Sequence, residues 1–313
     1  MMTPMERIDY DEFGLFHENA SEYGLAWSGP PMVRRASVEL EGGRQVSSLV
    51  WGDTEPELVF IHGGAQNAHT WDTVALALGR SVVAVDLPGH GHSSWRDDGA
   101  YAPENMAADV AVAVEQLAPA AKGVVGMSLG GLTSFALAAT RPELVRRLVV
   151  VDVTPGTTRE KAKAIIDFVS GPQSFPSFDE LLERTMEHNP TRSESSLRRG
   201  ILHNAHQRED GSWAWNYDRV NRPPVAPDGT PSPAEEDRLD NGRLWDAVAA
   251  VRAPLLLVRG SLSPVVDDGD VAELLRRQPG AEVVVVEGAG HSIQGDKPVE
   301  LAALIERFVL DQG

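Results

Sequence analysis

Cysteine is absent from the 313 residues. Its absence excludes disulfides, a thiol nucleophile and any Cys-ligated metal, and it suits a reducing cytoplasm, the location expected for this chain. Basic residues are scarce: 28 Lys and Arg against 46 Asp and Glu leave a net charge of −18. Such a surface repels a phosphate backbone, so nucleic acid is not an expected partner. No stretch reaches the roughly 18 consecutive apolar residues of a membrane helix, so no membrane span is expected. The N-terminal segment carries Glu6, Asp9, Asp11 and Glu12 where a signal peptide would have a basic start and an apolar run. What is present is an ordinary globular composition, 42% hydrophobic and 24% charged. The length allows one large α/β domain or a domain carrying an insertion.

Short apolar runs recur along the chain. Ser37–Leu40 and Val46–Val50 alternate around Gly42-Gly43 and read as a hairpin. Leu58–Ile61, Ser81–Val85, Gly123–Val125, Leu148–Val151, Leu255–Val258 and Val283–Val286 are continuously apolar, as strands covered on both faces are. Helical patterns separate most of them, at 105–117, 129–139, 270–277 and 299–310. The alternation predicts a mostly parallel, eight-stranded sheet with helices on both faces. Residues 1–32 read as an N-terminal extension, and 33–153 with 251–313 as the core. Between them, 154–250 reads as a mostly helical inserted cap. Pro223, Pro224, Pro227, Pro231 and Pro233 make 222–236 a loop. Trp213, Trp215, Tyr217, Phe175 and Phe178 are read first as packing of this insert, with the lining of an acyl pocket as their alternative use.

The densest chemical signal is Gly126-Met127-Ser128-Leu129-Gly130, a G-x-S-x-G pattern between a strand and a helix-forming run. A serine at so sharp a turn is strained, and the glycines two residues away leave room for the bend. The turn lifts the Ser128 hydroxyl to the tip of the sheet and sets the Leu129 N–H at a helix N-terminus, where it can stabilise an oxyanion. A hydroxyl nucleophile needs a base and the base an orienting acid, in the order Ser, acid, His. His291, in Gly288-Ala289-Gly290-His291-Ser292 after the last strand, is the candidate base. The loop after Leu255–Val258, a common place for the acid, has Ser263 at the expected carboxylate position. Asp152 ends the strand Leu148–Val151 on the same sheet edge as Ser128 and is the preferred acid; Asp267 or Asp268 is the alternative, with helix capping as their plainer use. His62-Gly63-Gly64, after the third strand, supplies a second oxyanion donor in the Gly64 N–H, while His62 and Trp71 read as structural. The H-x-H of His90 and His92 lacks the further ligands a metallohydrolase needs, and Gly288-x-Gly290 lacks the third glycine of a dinucleotide loop. No cofactor and no metal are expected.

Together, His62-Gly63-Gly64, Asp86-Leu87-Pro88-Gly89-His90-Gly91-His92-Ser93, Gly126–Gly130 and Gly290-His291 resemble the α/β-hydrolase superfamily from about Val33 to the C-terminus. The resemblance implies the α/β-hydrolase fold with an inserted cap. The stretches from His62 to Trp71 and from Val151 to Pro155 are similar to a narrower group, actinobacterial serine esterases acting on short- to medium-chain esters. Relatives with Asp-x-x-Pro after the sixth strand take their acid from that strand, which also favours Asp152. Ser263 departs from the wider pattern. The expectation is a serine carboxylesterase acting on a small-molecule ester, with Ser128, Asp152 and His291 as catalytic residues and Gly64 and Leu129 as the oxyanion hole. The alternatives are a C–C bond hydrolase with the same triad, which a polar, carboxylate-binding pocket would favour, and a non-catalytic ligand-binding protein on this scaffold. The oligomeric state is left open.

Overall fold

The computed structural model describes residues 7–218 and 241–311. The proline-rich loop expected at 222–236 lies outside the described residues. In chain order the elements are α1 (Phe16–Glu22), β1 (Val33–Glu39), β2 (Gln45–Trp51), β3 (Leu58–Ile61), α2 (Asp72–Leu78), β4 (Val82–Val85), α3 (Pro103–Leu117), β5 (Gly123–Met127), α4 (Leu129–Thr140) and β6 (Leu148–Val151). Then follow α5 (Lys163–Val169), β7 (Ser174–Phe175), α6 (Phe178–His188), α7 (Glu194–Asn204), β8 (Ala205–Gln207), β9 (Trp213–Trp215) and α8 (Asn241–Ala250). The chain closes with β10 (Leu255–Gly260), α9 (Asp268–Arg277), β11 (Glu282–Val286), α10 (Ile293–Asp296) and α11 (Pro298–Ile305). Among the described residues no helix is long and apolar enough to cross a membrane.

Eight strands form one sheet in the order β1-β2-β4-β3-β5-β6-β10-β11. The β1–β2 and β2–β4 pairs are antiparallel, and every pair from β4 to β11 is parallel. The unbroken apolar runs follow from a sheet covered on both sides. Alternate residues of one strand enter different cores: Val59 and Ile61 pack beside α3, α4 and α8, whereas Leu58 and Phe60 face α2 and α11. Because β5, β6, β10 and β11 are parallel, their C-terminal ends fall on one edge. Ser128, Asp152, the loop after Gly260 and the loop carrying His291 therefore begin side by side.

Residues 7–32, read as an extension, are tied to the body. Phe16 is buried against Trp51, with ring centroids 4.8 Å apart. Arg35 reaches back to Glu12, and Tyr10 hydrogen-bonds His203 at 2.7 Å. The stretch between β6 and β10 holds more than helices. β7, β9 and β8 form a small antiparallel sheet, and Phe175, Trp213, Trp215 and Tyr217 are buried in a cluster around it. The helix α8 joins the main core, burying Leu244 and Val248 with residues of α3 and α4.

Candidate active site

At the end of β5 the chain turns with Ser128 at φ 52°, ψ −122°. A non-glycine residue with positive φ costs on the order of 1–3 kcal/mol, and here close packing holds it. The Ser128 N–H donates to the Val151 carbonyl at 3.1 Å, and its own carbonyl accepts from Gly131 and Leu132 at 2.8 and 3.0 Å. The two motif glycines are required by space. A Cβ on Gly126 would stand 2.4 Å from the Gly130 carbonyl oxygen, and one on Gly130 would stand 2.3 Å from that of Ile61.

One sheet position away, Asp152 is fully buried and also has a positive φ of 52°. Its N–H donates to the Val258 carbonyl at 2.7 Å, which anchors the turn on β10. Its carboxylate accepts from three donors. The Gly260 N–H reaches Oδ1 at 3.0 Å, His291 Nδ1 reaches Oδ2 at 2.8 Å, and the Ser263 hydroxyl also reaches Oδ2. A carboxylate acceptor places the imidazole proton on Nδ1 and leaves Nε2 as the basic nitrogen. The His291 loop is itself braced: the Gly290 N–H donates to Asp296 at 2.7 Å, and the Ala289 carbonyl accepts from Leu262 at 2.9 Å. The alternative acids are used elsewhere. Asp267 caps α9 in a reciprocal capping box with Asp270 and pairs with Lys161 at 2.8 Å. Asp268 is solvent-exposed beside Arg259 at 2.7 Å.

The loop after β3 lies against the serine. A Cβ on Gly63 would come within 3.1 Å of Ser128 Cβ and 2.5 Å of Met127 Sδ, and one on Gly64 would rest 3.7 Å from Leu129 Cδ2. Of the amides in this loop, Gly63 N–H donates to Gln66 Oε1 at 3.2 Å and Ala65 N–H to His90 Nε2 at 3.0 Å. Among the described residues the Gly64 and Leu129 N–H groups have no hydrogen-bond acceptor. They are the amides expected to hold an oxyanion.

Three histidines near this loop have structural tasks. His62 is buried, donates from Nδ1 to the Gly63 carbonyl at 2.7 Å and accepts the Leu87 N–H at 2.9 Å. His90 donates from Nδ1 to the Pro88 carbonyl at 3.0 Å. Burial, with His62 beside it, pushes the His90 pKa down to about 3, so it stays neutral. With both nitrogens engaged, His90 has no lone pair for a metal, in line with the reading of the H-x-H. His69, Asp72 and His203 form the one group among the described residues whose donor atoms are close enough to share a metal ion. His69 lies between carboxylates, with Asp72 at 2.9 Å from Nδ1 and Glu12 at 3.3 Å from Nε2. Burial opposes its charging, but the two acids outweigh that and raise its pKa to about 9. This is the setting of an imidazolium, which has no lone pair to give. Trp71 is buried and stacks on Phe60 at 4.9 Å, as expected of a core residue.

Residues 56–298 match the family described as the alpha/beta hydrolase fold. The chain belongs to this family. Over 319 aligned positions, spanning 99% of both chains, this hydrolase is 43% identical to esterase Rv0045c of Mycobacterium tuberculosis. A crystal structure of that esterase superimposes with a TM-score of 0.80 at 43% identity, covering 98% of this chain and 100% of that one. It is also 30% identical over 265 residues, 81% of this chain and 80% of the other, to the sn-1-specific diacylglycerol lipase ABHD11 of Xenopus laevis. The resemblance drawn from the motifs is thus met at the level of fold and family, and an actinobacterial esterase is among the relatives.

Sequence reasoning did not anticipate the work of three residues here. Ser263 does not replace an acid; it donates to one. Gln66 fixes the Gly63 amide, and His90 fixes that of Ala65. Only Ser263 left a trace in the sequence, by standing where a carboxylate is common.

Proposed function

We infer that this protein is a serine hydrolase of carboxylic esters with short- to medium-chain acyl groups, working through an acyl-enzyme. The observation that carries the reading is the Asp152–His291 hydrogen bond, formed on the sheet edge where the strained Ser128 and the two uncommitted amides meet. The esterase and lipase names of the relatives support the ester as the bond cleaved.

In this mechanism His291 Nε2 takes the proton of Ser128 Oγ as the hydroxyl attacks the ester carbonyl. The carbonyl oxygen becomes an oxyanion held by the Gly64 and Leu129 N–H groups, each contributing about 3 kcal/mol to the barrier reduction. His291 then gives its proton to the leaving alkoxide. Water, activated by the same nitrogen, attacks the acyl-serine and releases the acid, and the proton returns to Ser128. Asp152 keeps the Nδ1 proton in place and stabilises the imidazolium formed at each step. Of the 154–250 insert, residues 154–218 act as the cap in the same reading, since α8 packs in the main core. Support comes from Tyr217 stacked on His90 and from Asn204, whose side-chain amide donates to the Ala65 carbonyl at 2.7 Å.

Hydrolysis of p-nitrophenyl esters of graded acyl length tests the proposal. Activity should peak at short or medium chains and fall at least about three orders of magnitude in kcat for Ser128→Ala. A Ser128→Ala protein with ordinary activity would contradict it. A vinylogous diketone in the same panel separates ester hydrolysis from C–C bond hydrolysis by the same residues.

A further inference from the structure

The loop after β3 is a turn closed by the Gln66 N–H on the Gly63 carbonyl at 3.3 Å. The third residue of this turn, Ala65, has φ 58°. That position of a type II turn ordinarily goes to glycine or asparagine, so an alanine there is held by its surroundings. Two side chains hold it. His90, from the loop after β4, takes the Ala65 N–H at 3.0 Å and blocks a flip of the central Gly64–Ala65 peptide. Asn204, at the end of α7 in the insert, donates from Nδ2 to the Ala65 carbonyl at 2.7 Å. The Ala65 methyl also packs against the insert's aromatic cluster, a contact that glycine could not make.

The orientation of the Asn204 amide is fixed by its partners. The Ala65 carbonyl can only accept, so Nδ2 faces it, and Oδ1 is left to accept from Asn67 Nδ2 at 3.2 Å. Asn67 is oriented in the same manner. Its Oδ1 accepts the His69 N–H at 2.9 Å, and its Nδ2 also donates to the His203 carbonyl at 2.9 Å. Both asparagines are buried, where a hydrogen bond is stronger than in water. The insert thus grips the loop through a pair of interlocked amides rather than through apolar contact alone.

From Asn204 the bonds run through two peptide groups to the Gly64 amide. In a trans peptide the N–H points away from the carbonyl. The peptide whose carbonyl meets Asn204 therefore turns its Gln66 N–H toward the Gly63 carbonyl. The peptide whose carbonyl is held there turns the Gly64 N–H the opposite way, out of the turn. His62 Nδ1 pins the same Gly63 carbonyl at 2.7 Å. Hydrogen bonds in series also polarise one another, so a donor on the Ala65 carbonyl makes the Gly64 N–H a stronger donor in its turn. We propose that Asn204 is a positioning residue of the oxyanion hole, aiming the Gly64 N–H through the Ala65–Gln66 peptide, so that docking of the insert and assembly of the hole are one event. This rests on the serine-hydrolase reading and gives the insert a part in the chemical step.

The test is steady-state hydrolysis of p-nitrophenyl butyrate by three variants, each with its circular dichroism and Tm. Asn204→Ala should lower kcat about 10- to 100-fold, less than the roughly 100- to 1000-fold of deleting an oxyanion donor outright, and leave KM within about threefold. Tyr10→Phe removes the bond from Tyr10 to His203, the residue before Asn204. It loosens the same helix end without touching the turn, so its kcat should stay within about twofold of wild type. Asn204→Asp keeps an acceptor for Asn67 and puts a carboxyl group on the Ala65 carbonyl, which can donate there only when protonated. Its kcat relative to wild type should therefore be higher at pH 5.5 than at pH 8.5, by at least about fivefold. This near-isosteric variant carries the test if Asn204→Ala does not fold. An unchanged kcat in folded Asn204→Ala, equal losses of kcat in Asn204→Ala and Tyr10→Phe, or a ratio for Asn204→Asp that stays flat with pH would overturn the proposal. Ester hydrolysis that survives Ser128→Ala would instead defeat the hydrolase reading, whatever the Asn204 variants do.

Discussion

Replacing Asp152 by asparagine changes one atom and should remove almost all activity. The native carboxylate accepts from Gly260, Ser263 and His291. An asparagine can keep its carbonyl oxygen on the Gly260 N–H, which leaves its NH₂ group facing both Ser263 Oγ and His291 Nδ1. The Ser263 hydroxyl can rotate to accept. The imidazole can relieve the clash only by moving its proton to Nε2, and a protonated Nε2 cannot act as the base. The charge that stabilises the imidazolium is lost as well. For an exchange of this kind about four orders of magnitude in kcat are expected, equivalent to roughly 5–6 kcal/mol at 1.36 kcal/mol per decade. KM should change little, because Asp152 is buried beneath the histidine and does not meet substrate. The assay is steady-state hydrolysis of p-nitrophenyl butyrate at pH 7.5, with circular dichroism to establish the fold. A loss of less than tenfold in a folded variant would refute the assignment of the acid.

Other consequences follow from the same geometry. Asp267→Ala should cost about 1 kcal/mol in thermal stability, as loss of a helix cap does, and leave kcat within twofold; a kcat loss matching that of Asp152→Asn would move the acid. Gly63→Ala forces a Cβ to within 2.5 Å of the buried Met127 sulfur and should lower stability by about 1–3 kcal/mol and kcat by at least tenfold, whereas Gly64→Ala, with its nearest neighbour at 3.7 Å, should melt close to wild type. His69 is charged in the fold up to a pKa of about 9, above its ordinary 6.5. Its contribution is therefore complete below pH 6.5 and is lost as pH rises through 9. The difference in Tm between wild type and His69→Gln should shrink from pH 6 to pH 10, and a constant difference would contradict that ion cluster.

Parts of this molecule were legible in the chain because their causes are local. The runs at Leu58–Ile61 and Leu148–Val151 report burial on both faces. The glycines flanking Ser128 report a bend that no Cβ fits. The parallel order puts Asp152 beside Ser128 without any contact being known. Other parts depend on contacts between distant residues and leave no periodic mark. Strands of two and three residues, such as Ser174–Phe175 and Trp213–Trp215, are too short for alternation to register, so the insert read as mostly helical. The stacking of His69 on His203, with ring centroids 3.8 Å apart, joins the core to α7 across a large separation in sequence. Ser263 shows the limit in both directions: the sequence revealed the missing carboxylate, and the structure revealed that the hydroxyl binds the one carried by Asp152.

The most direct test of the central claim is covalent. Treatment of the folded protein with a fluorophosphonate, followed by peptide mass spectrometry, should place one adduct per chain on Ser128. Labelling should be abolished in Ser128→Ala and slowed by orders of magnitude in Asp152→Asn. An unlabelled Ser128 in the active, folded protein, or equal labelling of Ser128 when Asp152 or His291 is replaced, would contradict the account.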